Sequence, residues 1–263
     1  MNDMKNPMQF KFFTTIDNIY NTYFIERFMI NFSSERWKNR KSQFITNKEW
    51  ILDSGGFNEL GKYGKYSYSP SFYLQKVKLL DPTYFATMDY MCEPNKLKIT
   101  GLTVKDHIMK TIENTLFLMD KHTGNQELMP VIQGWEIEDY LYCIDSMKEL
   151  GIFKRNQLVG IGSICRRNQT DKIEKIITSI KNELPHQRLH GFGIKKSCLS
   201  NPKIVNSLSS SDSFAWSIAN RFSLDLRGKQ RRFFVGVWAR EVELTAYKTL
   251  LDNYTKPNWE KEE

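Results

Sequence analysis

Short, almost uninterrupted apolar runs alternate along this chain with longer stretches of helical periodicity. Trp50-Ile51-Leu52, Tyr84 to Met88, Leu128 to Ile132 and Leu158 to Gly162 are too short for helices and too uniformly apolar for half-exposed strands. Such runs fit parallel strands covered on both faces. Leu189 to Ile194 and Phe233 to Trp238 extend the series, and Phe10 to Thr15 and Phe28 to Phe32 supply its first members. Between them, Thr103 is placed to cap a helix whose Ile108, Ile112, Leu116 and Met119 share one face. Tyr140, Ile144 and Met147 mark a second helix, with Gly151 at its C-terminal turn. Ile173, Ile176, Ile177, Ile180 and Leu184 mark a third, closed by Pro185. These stripes are core faces. The repeated order strand, loop, helix predicts an α/β fold of the (β/α)8 TIM-barrel type, with an open doubly wound sheet as the alternative. No Pro/Gly/Ser-rich linker and no internal repeat divides the 263 residues, so a single barrel domain is expected over 1–263.

Composition narrows the setting. Apolar residues make up 40% of the chain, yet no apolar run approaches the roughly 18 residues that span a bilayer. The polar N-terminus lacks a signal-peptide pattern, and a cytoplasmic protein without membrane partners is expected. Cys92, Cys143, Cys165 and Cys198 lie too far apart for a zinc ribbon or a redox pair. The four histidines lack metal-ligand spacing, and His190 reads as structural. No metal or cofactor is expected. The net charge of +8 favours a polyanionic partner, of which nucleic acid is the commonest.

In a barrel, chemistry collects at the carboxyl ends of the strands. Polar or small residues fall there repeatedly: Asp53 after Leu52, Asp89 after Met88, Gln133-Gly134 after Ile132, Gly162-Ser163 after Ile161, Gly191 to Lys195, and Asp212 after the serine-rich Ser207 to Ser211. Asp53 and Asp212 each stand beside small residues where an apolar run breaks. An unpaired buried carboxylate is costly, so packing explains them poorly. Brought together, they form the pair that glycosidic-bond chemistry uses, one as nucleophile and one as proton handler. Helix capping is the alternative for each.

These segments also carry a family resemblance. Asp53-Ser54-Gly55-Gly56-Phe57 resembles the DSGGF signature of tRNA-guanine transglycosylases, and Pro130 to Gly134 their VQG strand end. Gly160-Ile161-Gly162-Ser163 is similar to their base-binding turn, and His190-Gly191-Phe192-Gly193 to their GxG segment. Ser211 to Trp216 resembles the archaeal FDSxxY segment. The order agrees from about Trp50 to Arg221. The resemblance implies a (β/α)8 barrel that exchanges guanine in a polynucleotide for a 7-deazaguanine. By position it makes Asp212 the nucleophile and Asp53 the general acid/base. Asp89, Gln133 and Gly162 would hold the base edge, with Ser163 beside it, and Ser54, Gly55, Gly56, Phe57, Gly134, Gly191 and Gly193 would complete the substrate site. Asn58 replaces the usual Gln, and the zinc cluster and the C-terminal RNA-binding extension of the tRNA enzymes have no counterpart. On those departures the chain is closer to the phage and bacterial DNA 7-deazaguanine transglycosylases. The expected partners are DNA and a 7-deazaguanine base such as the 7-cyano form; tRNA as polymer and a non-catalytic binding barrel are the alternatives. The tRNA relatives suggest a homodimer.

A strand needs a cationic track. Arg221, Arg227, Lys229, Arg231 and Arg232 cluster with Phe222, Phe233 and Phe234, and Lys195 ends the GxG segment. A second basic segment is Arg36, Trp37, Lys38, Arg40 and Lys41. Phosphate contact with base stacking is the functional reading and a solvated charged face the alternative. Tyr63, Tyr66 and Tyr68 are placed to form a lid.

Overall fold

Residues 10–43, 45–165, 167, 169–219 and 227–255 are described by the structure, a computed structural model. Its centre is a parallel sheet that closes on itself. The strands are β1 (Lys11–Ile16), β2 (Phe28–Asn31), β3 (Trp50–Asp53), β4 (Tyr84–Ala86), β5 (Glu127–Met129 continued by Val131–Ile132), β6 (Leu158–Ile161), β7 (Arg188–Gly191) and β8 (Ser210–Ser213). Pro130 divides β5 because it has no N–H to give the ladder. Its first half pairs with β4 and its second with β6, while β8 returns to pair with β1. The two halves of β5 therefore join the ends of the sheet, and eight strands form a barrel.

Around it lie helices α1 (Glu35–Lys38), α2 (Gly56–Tyr63), α3 (Pro70–Leu80), α4 (Pro94–Thr100), α5 (Val104–Lys121), α6 (Ile137–Glu149), α7 (Thr170–Glu183), α8 (Pro202–Ser207), α9 (Ala215–Ala219) and α10 (Gly228–Thr255). The three helices read from periodicity are α5, α6 and α7, and each buries the residues of its stripe or packs them partly buried against the core. At the start of α5, Thr103 Oγ1 accepts the Asp106 N–H (3.2 Å) and Asp106 Oδ2 accepts the Thr103 N–H (2.9 Å). This reciprocal pair satisfies two end donors of the helix.

Side chains alternate along a strand, so every second residue points into the barrel. Phe13, Met29, Ile51, Tyr84, Ala86, Met129, Val131 and Leu158 pack there as one apolar cluster, with Phe192 against it. Two residues beyond Phe13, Met29 and Ile51 stand Thr15, Asn31 and Asp53. The same alternation that fills the barrel with hydrocarbon thus ends, at its carboxyl rim, in polar groups.

Two expectations need correction. Phe233 to Trp238 is not a strand but lies inside α10. A short apolar run carries no period of its own, and this one presents a buried Val235 between exposed Phe233 and Val237. The helix lays Val235, Val242, Ala246 and Leu250 on the barrel, with Trp238 edge-on to Phe12 at 5.7 Å. The apolar run at 189–194 is also shorter as a strand: Gly193, at φ +61°, turns the chain after Gly191. Among the described residues no helix is long and apolar enough to cross a membrane.

Candidate active site

At the carboxyl rim all eight strand ends contribute a polar group. In order around the barrel these are Thr15, Asn31, Asp53, Asp89, Gln133, Ser163, His190 with Gly193, and Asp212. A cavity of about 510 Å³ opens here, walled by Thr15, Asn31, Asp53, Asp89, Gly162, Ser163, Gly193 and Asp212 among others. That size is within the common range for small-molecule sites, roughly 300–1,000 Å³.

The two aspartates predicted as a pair lie on this one cavity, three strands apart, each held by the adjacent strand. Asn31 Nδ2 donates to Asp53 Oδ2 at 2.8 Å. The Asn31 amide is oriented for this, since its oxygen accepts the Ser33 N–H at 3.0 Å. Across the cavity Thr15 Oγ1 donates to Asp212 Oδ2, and the Gly193 N–H to Asp212 Oδ1, both at 2.8 Å. Gly193 makes that contact from a left-handed turn that favours glycine, and a Cβ there would stand 2.5 Å from Cys165 Cβ. Helix capping does not account for Asp212. Ser213 Oγ accepts the Ala215 N–H at the start of α9 instead.

Asp89 completes a triangle of carboxyl groups. It accepts a hydrogen bond from Gln133 Nε2 and another, at 3.3 Å, from Ser54 Oγ. Gln133 is wholly buried behind the wall, and its Oε1 accepts from Ser163 Oγ at 2.7 Å. Burial raises the Asp89 pKa to about 6 against the opposing pull of Gln133 and Ser54. Asp53 is pushed further, to about 8, first by burial and then by the charge of Asp89, with Asp212 adding to it. The Gly55 backbone and Asn31 pull the other way without prevailing. Near pH 7 one carboxyl of this group therefore keeps its proton while its neighbour Asp89 is ionised.

The loop after Asp53 is braced from outside the barrel. Tyr66 donates to the Asp89 carbonyl (2.8 Å) and pairs with Ser54 Oγ (3.0 Å), and Tyr68 donates to the Ser54 carbonyl. Tyr66 and Tyr68 are thus braces rather than a lid, while Tyr63 is exposed. Gly56 lies against this brace, where a Cβ would stand 2.3 Å from the Tyr66 hydroxyl and 2.7 Å from the Asp89 carbonyl oxygen. Gly56→Ala is expected to lower stability by about 1–3 kcal/mol, read as a lower urea midpoint.

Of the remaining predicted residues, Phe57 lines the cavity beneath Lys96 Nζ, 3.6 Å from its ring centroid. Gly55 turns the chain at φ +77°. Gly162 is on the wall, backed by the Gln133 amide. Gly134 and Gly191 stand outside the cavity lining, packed against Tyr140 and against Ile194 and Leu208 respectively.

The basic residues divide. Arg231 binds Asp17, a residue of the cavity wall, at 2.9 Å and lies over the Trp216 ring at 5.0 Å, which puts it at the rim. Lys195 is exposed, and its Nζ donates to the Arg167 carbonyl. Arg227 is exposed just before α10, Lys229 is exposed in its first turn, and Arg232 is half-buried. Arg221 lies outside the described residues. Lys38 is not available to a phosphate: it is buried and paired with Glu59 at 2.6 Å. Sequence reasoning missed Thr15, Asn31 and Glu93. The last is a buried carboxylate of the cavity wall, 3.2 Å from Ser163 Oγ.

No curated protein matches this chain. Residues 28–239 match the family described as DpdA, DeoxyPurine in DNA protein A. That span is about four-fifths of the chain and holds Asp53, Asp89, Asp212 and every strand after β1. The barrel with its ring of carboxyl groups therefore belongs to the DpdA family of DNA-modifying proteins.

Proposed function

We propose that this protein replaces guanine in DNA by a 7-deazaguanine, such as the 7-cyano form, through a covalent aspartyl–sugar intermediate. The observation that carries the reading is the placement of Asp53, Asp89 and Asp212 on the wall of one cavity at the carboxyl ends of the strands. The match to the DpdA family supports DNA as the polymer.

A flipped guanine nucleotide enters the cavity, its unstacking costing a few kcal/mol. Ionised Asp89 accepts from the guanine N1–H and the N2 amine, and Gln133 fixes its orientation through their hydrogen bond. Asp212 attacks C1′ as the glycosidic bond breaks through an oxocarbenium-like transition state. The departing electron pair stays on guanine, which takes the Asp53 proton. The incoming 7-deazaguanine then gives its N9 proton to Asp53 while N9 attacks C1′, and the ester electron pair returns to Asp212. Two inversions leave the sugar configuration unchanged. Arg231, Lys195, Arg227, Lys229 and Arg232 supply phosphate contacts around the mouth.

Labelled guanine tests this. It is expected to enter DNA and not tRNA in the presence of the protein. Label in tRNA alone would give the exchange a different polymer, and label in neither polymer despite tight DNA binding would make the barrel a binding protein.

A further inference from the structure

His190 lies inside the barrel with no solvent exposure, its ring edge-on to Phe13 (5.9 Å) and Phe192 (4.8 Å). Its two nitrogens face different groups. Nδ1 is 2.9 Å from Ser210 Oγ, and Nε2 is 3.4 Å from Asp212 Oδ1. Among the described residues Nε2 has no hydrogen-bond partner, so the carboxylate is the polar group it addresses. Two tautomers are available. If Nδ1 held the hydrogen, the bare lone pair of the fully buried Nε2 would face a carboxylate oxygen, which is repulsive. If Ser210 Oγ donates to Nδ1, Nε2 carries the hydrogen and directs it at Asp212. The second arrangement removes that repulsion and turns a donor toward Asp212 Oδ1, 3.4 Å away and short of a formed hydrogen bond.

The two oxygens of Asp212 are then unequal. Oδ1 accepts the Gly193 N–H and has His190 Nε2 3.4 Å away, whereas among the described residues Oδ2 accepts from the Thr15 hydroxyl. Building on the exchange reading above, we infer that His190 is a positioning residue for the nucleophile: with Gly193 it holds Oδ1 as the carbonyl oxygen of the aspartyl–sugar ester and leaves Oδ2 to attack C1′. In the first step the Oδ2–C1′ bond forms, the C1′–N9 bond breaks with its pair on guanine, and guanine takes the Asp53 proton. In the second the Oδ2–C1′ pair returns to the carboxylate as the new N9–C1′ bond forms. The hydrogens of His190 and Gly193 stay where they are throughout. Polar contacts at such sites are commonly long in the free protein and tighten on the reaction path, and the 3.4 Å approach of Nε2 to Oδ1 is close enough to become a hydrogen bond there.

Three variants and one spectrum test the assignment. His190→Phe keeps an aromatic ring between Phe13 and Phe192 but removes the donor. It is expected to lower kcat roughly 10²-fold, the scale of a small misplacement of a reacting group, while KM for DNA and for the base stays within about twofold. His190→Gln, which carries a terminal N–H, is expected to restore most of that loss. Ser210→Ala releases the tautomer and is expected to lower kcat several-fold without unfolding. A folded His190→Phe with the wild-type kcat would overturn the inference; should that variant fail to fold, an unchanged kcat in Ser210→Ala would do the same. Long-range 1H–15N spectra of the histidines read the contact without any turnover. The His190 Nε2 is expected to carry a hydrogen and to shift in Asp212→Asn; a bare Nε2 would contradict the inference even where DNA exchange itself is observed.

Discussion

Asp212→Asn is expected to lower base exchange by roughly 10⁴-fold or more, with DNA affinity nearly unchanged. Losing the nucleophile of a concerted group removes most of the rate that the group supplies, and what remains comes from binding and the other residues. The substitution keeps the shape of the side chain, so the Thr15 and Gly193 contacts, both 2.8 Å in the parent, have partners still in reach. An amide oxygen there does not form a stable ester with C1′. Exchange rate and DNA affinity measured on the same preparation separate chemistry from binding. Equal loss of both would instead make Asp212 a structural residue.

The second large effect is a pH dependence centred on Asp53. Its carboxyl is raised to about 8 by burial, by Asp89 and by Asp212. As a proton donor to the leaving guanine it is charged with its proton below that value and empty above it. Guanine release in a single turnover is expected to fall as pH rises through about 8. Asp53→Asn is expected to lose that limb and to slow release by about 10²–10⁴-fold, the usual worth of a positioned acid. The same shift appears in stability with a definite sign. A carboxyl whose folded pKa exceeds its unfolded value near 4 favours the fold while protonated in both states. That contribution is lost as pH rises from the unfolded value through about 8 for Asp53 and about 6 for Asp89. Urea midpoints of the parent should therefore drop between pH 5 and pH 9, and Asp53→Asn should drop less. The difference at pH 9 is expected to be on the order of 1–3 kcal/mol. Parallel pH profiles for both proteins would contradict the assignment.

Much of the barrel was legible because its strands, buried on both faces, read as short unbroken apolar runs that stand apart from the 3.6-residue period of its amphipathic helices. Phe233 to Trp238 escaped because six apolar residues carry no period, and only the following turns of α10 reveal the helix. The carboxylates were legible because a charge at the end of an apolar run has no packing explanation. Thr15 and Asn31 were not, since a threonine or asparagine there is unremarkable until the register opposes Asn31 to Asp53. Nothing in the local sequence marks His190, because its approach to Asp212 depends on β7 and β8 being neighbours in the barrel. The tyrosines after Gly61 show the converse error: aromatic residues in a loop suggest mobility, but here their hydroxyls brace Ser54 and Asp89.

The most direct test of the whole account is to quench the reaction with DNA before the second base arrives and digest the trapped protein. Mass spectrometry should place one deoxyribose-linked oligonucleotide on the peptide containing Asp212. An adduct on the Asp53 peptide, or rapid exchange into DNA with no adduct at any time point, would contradict it.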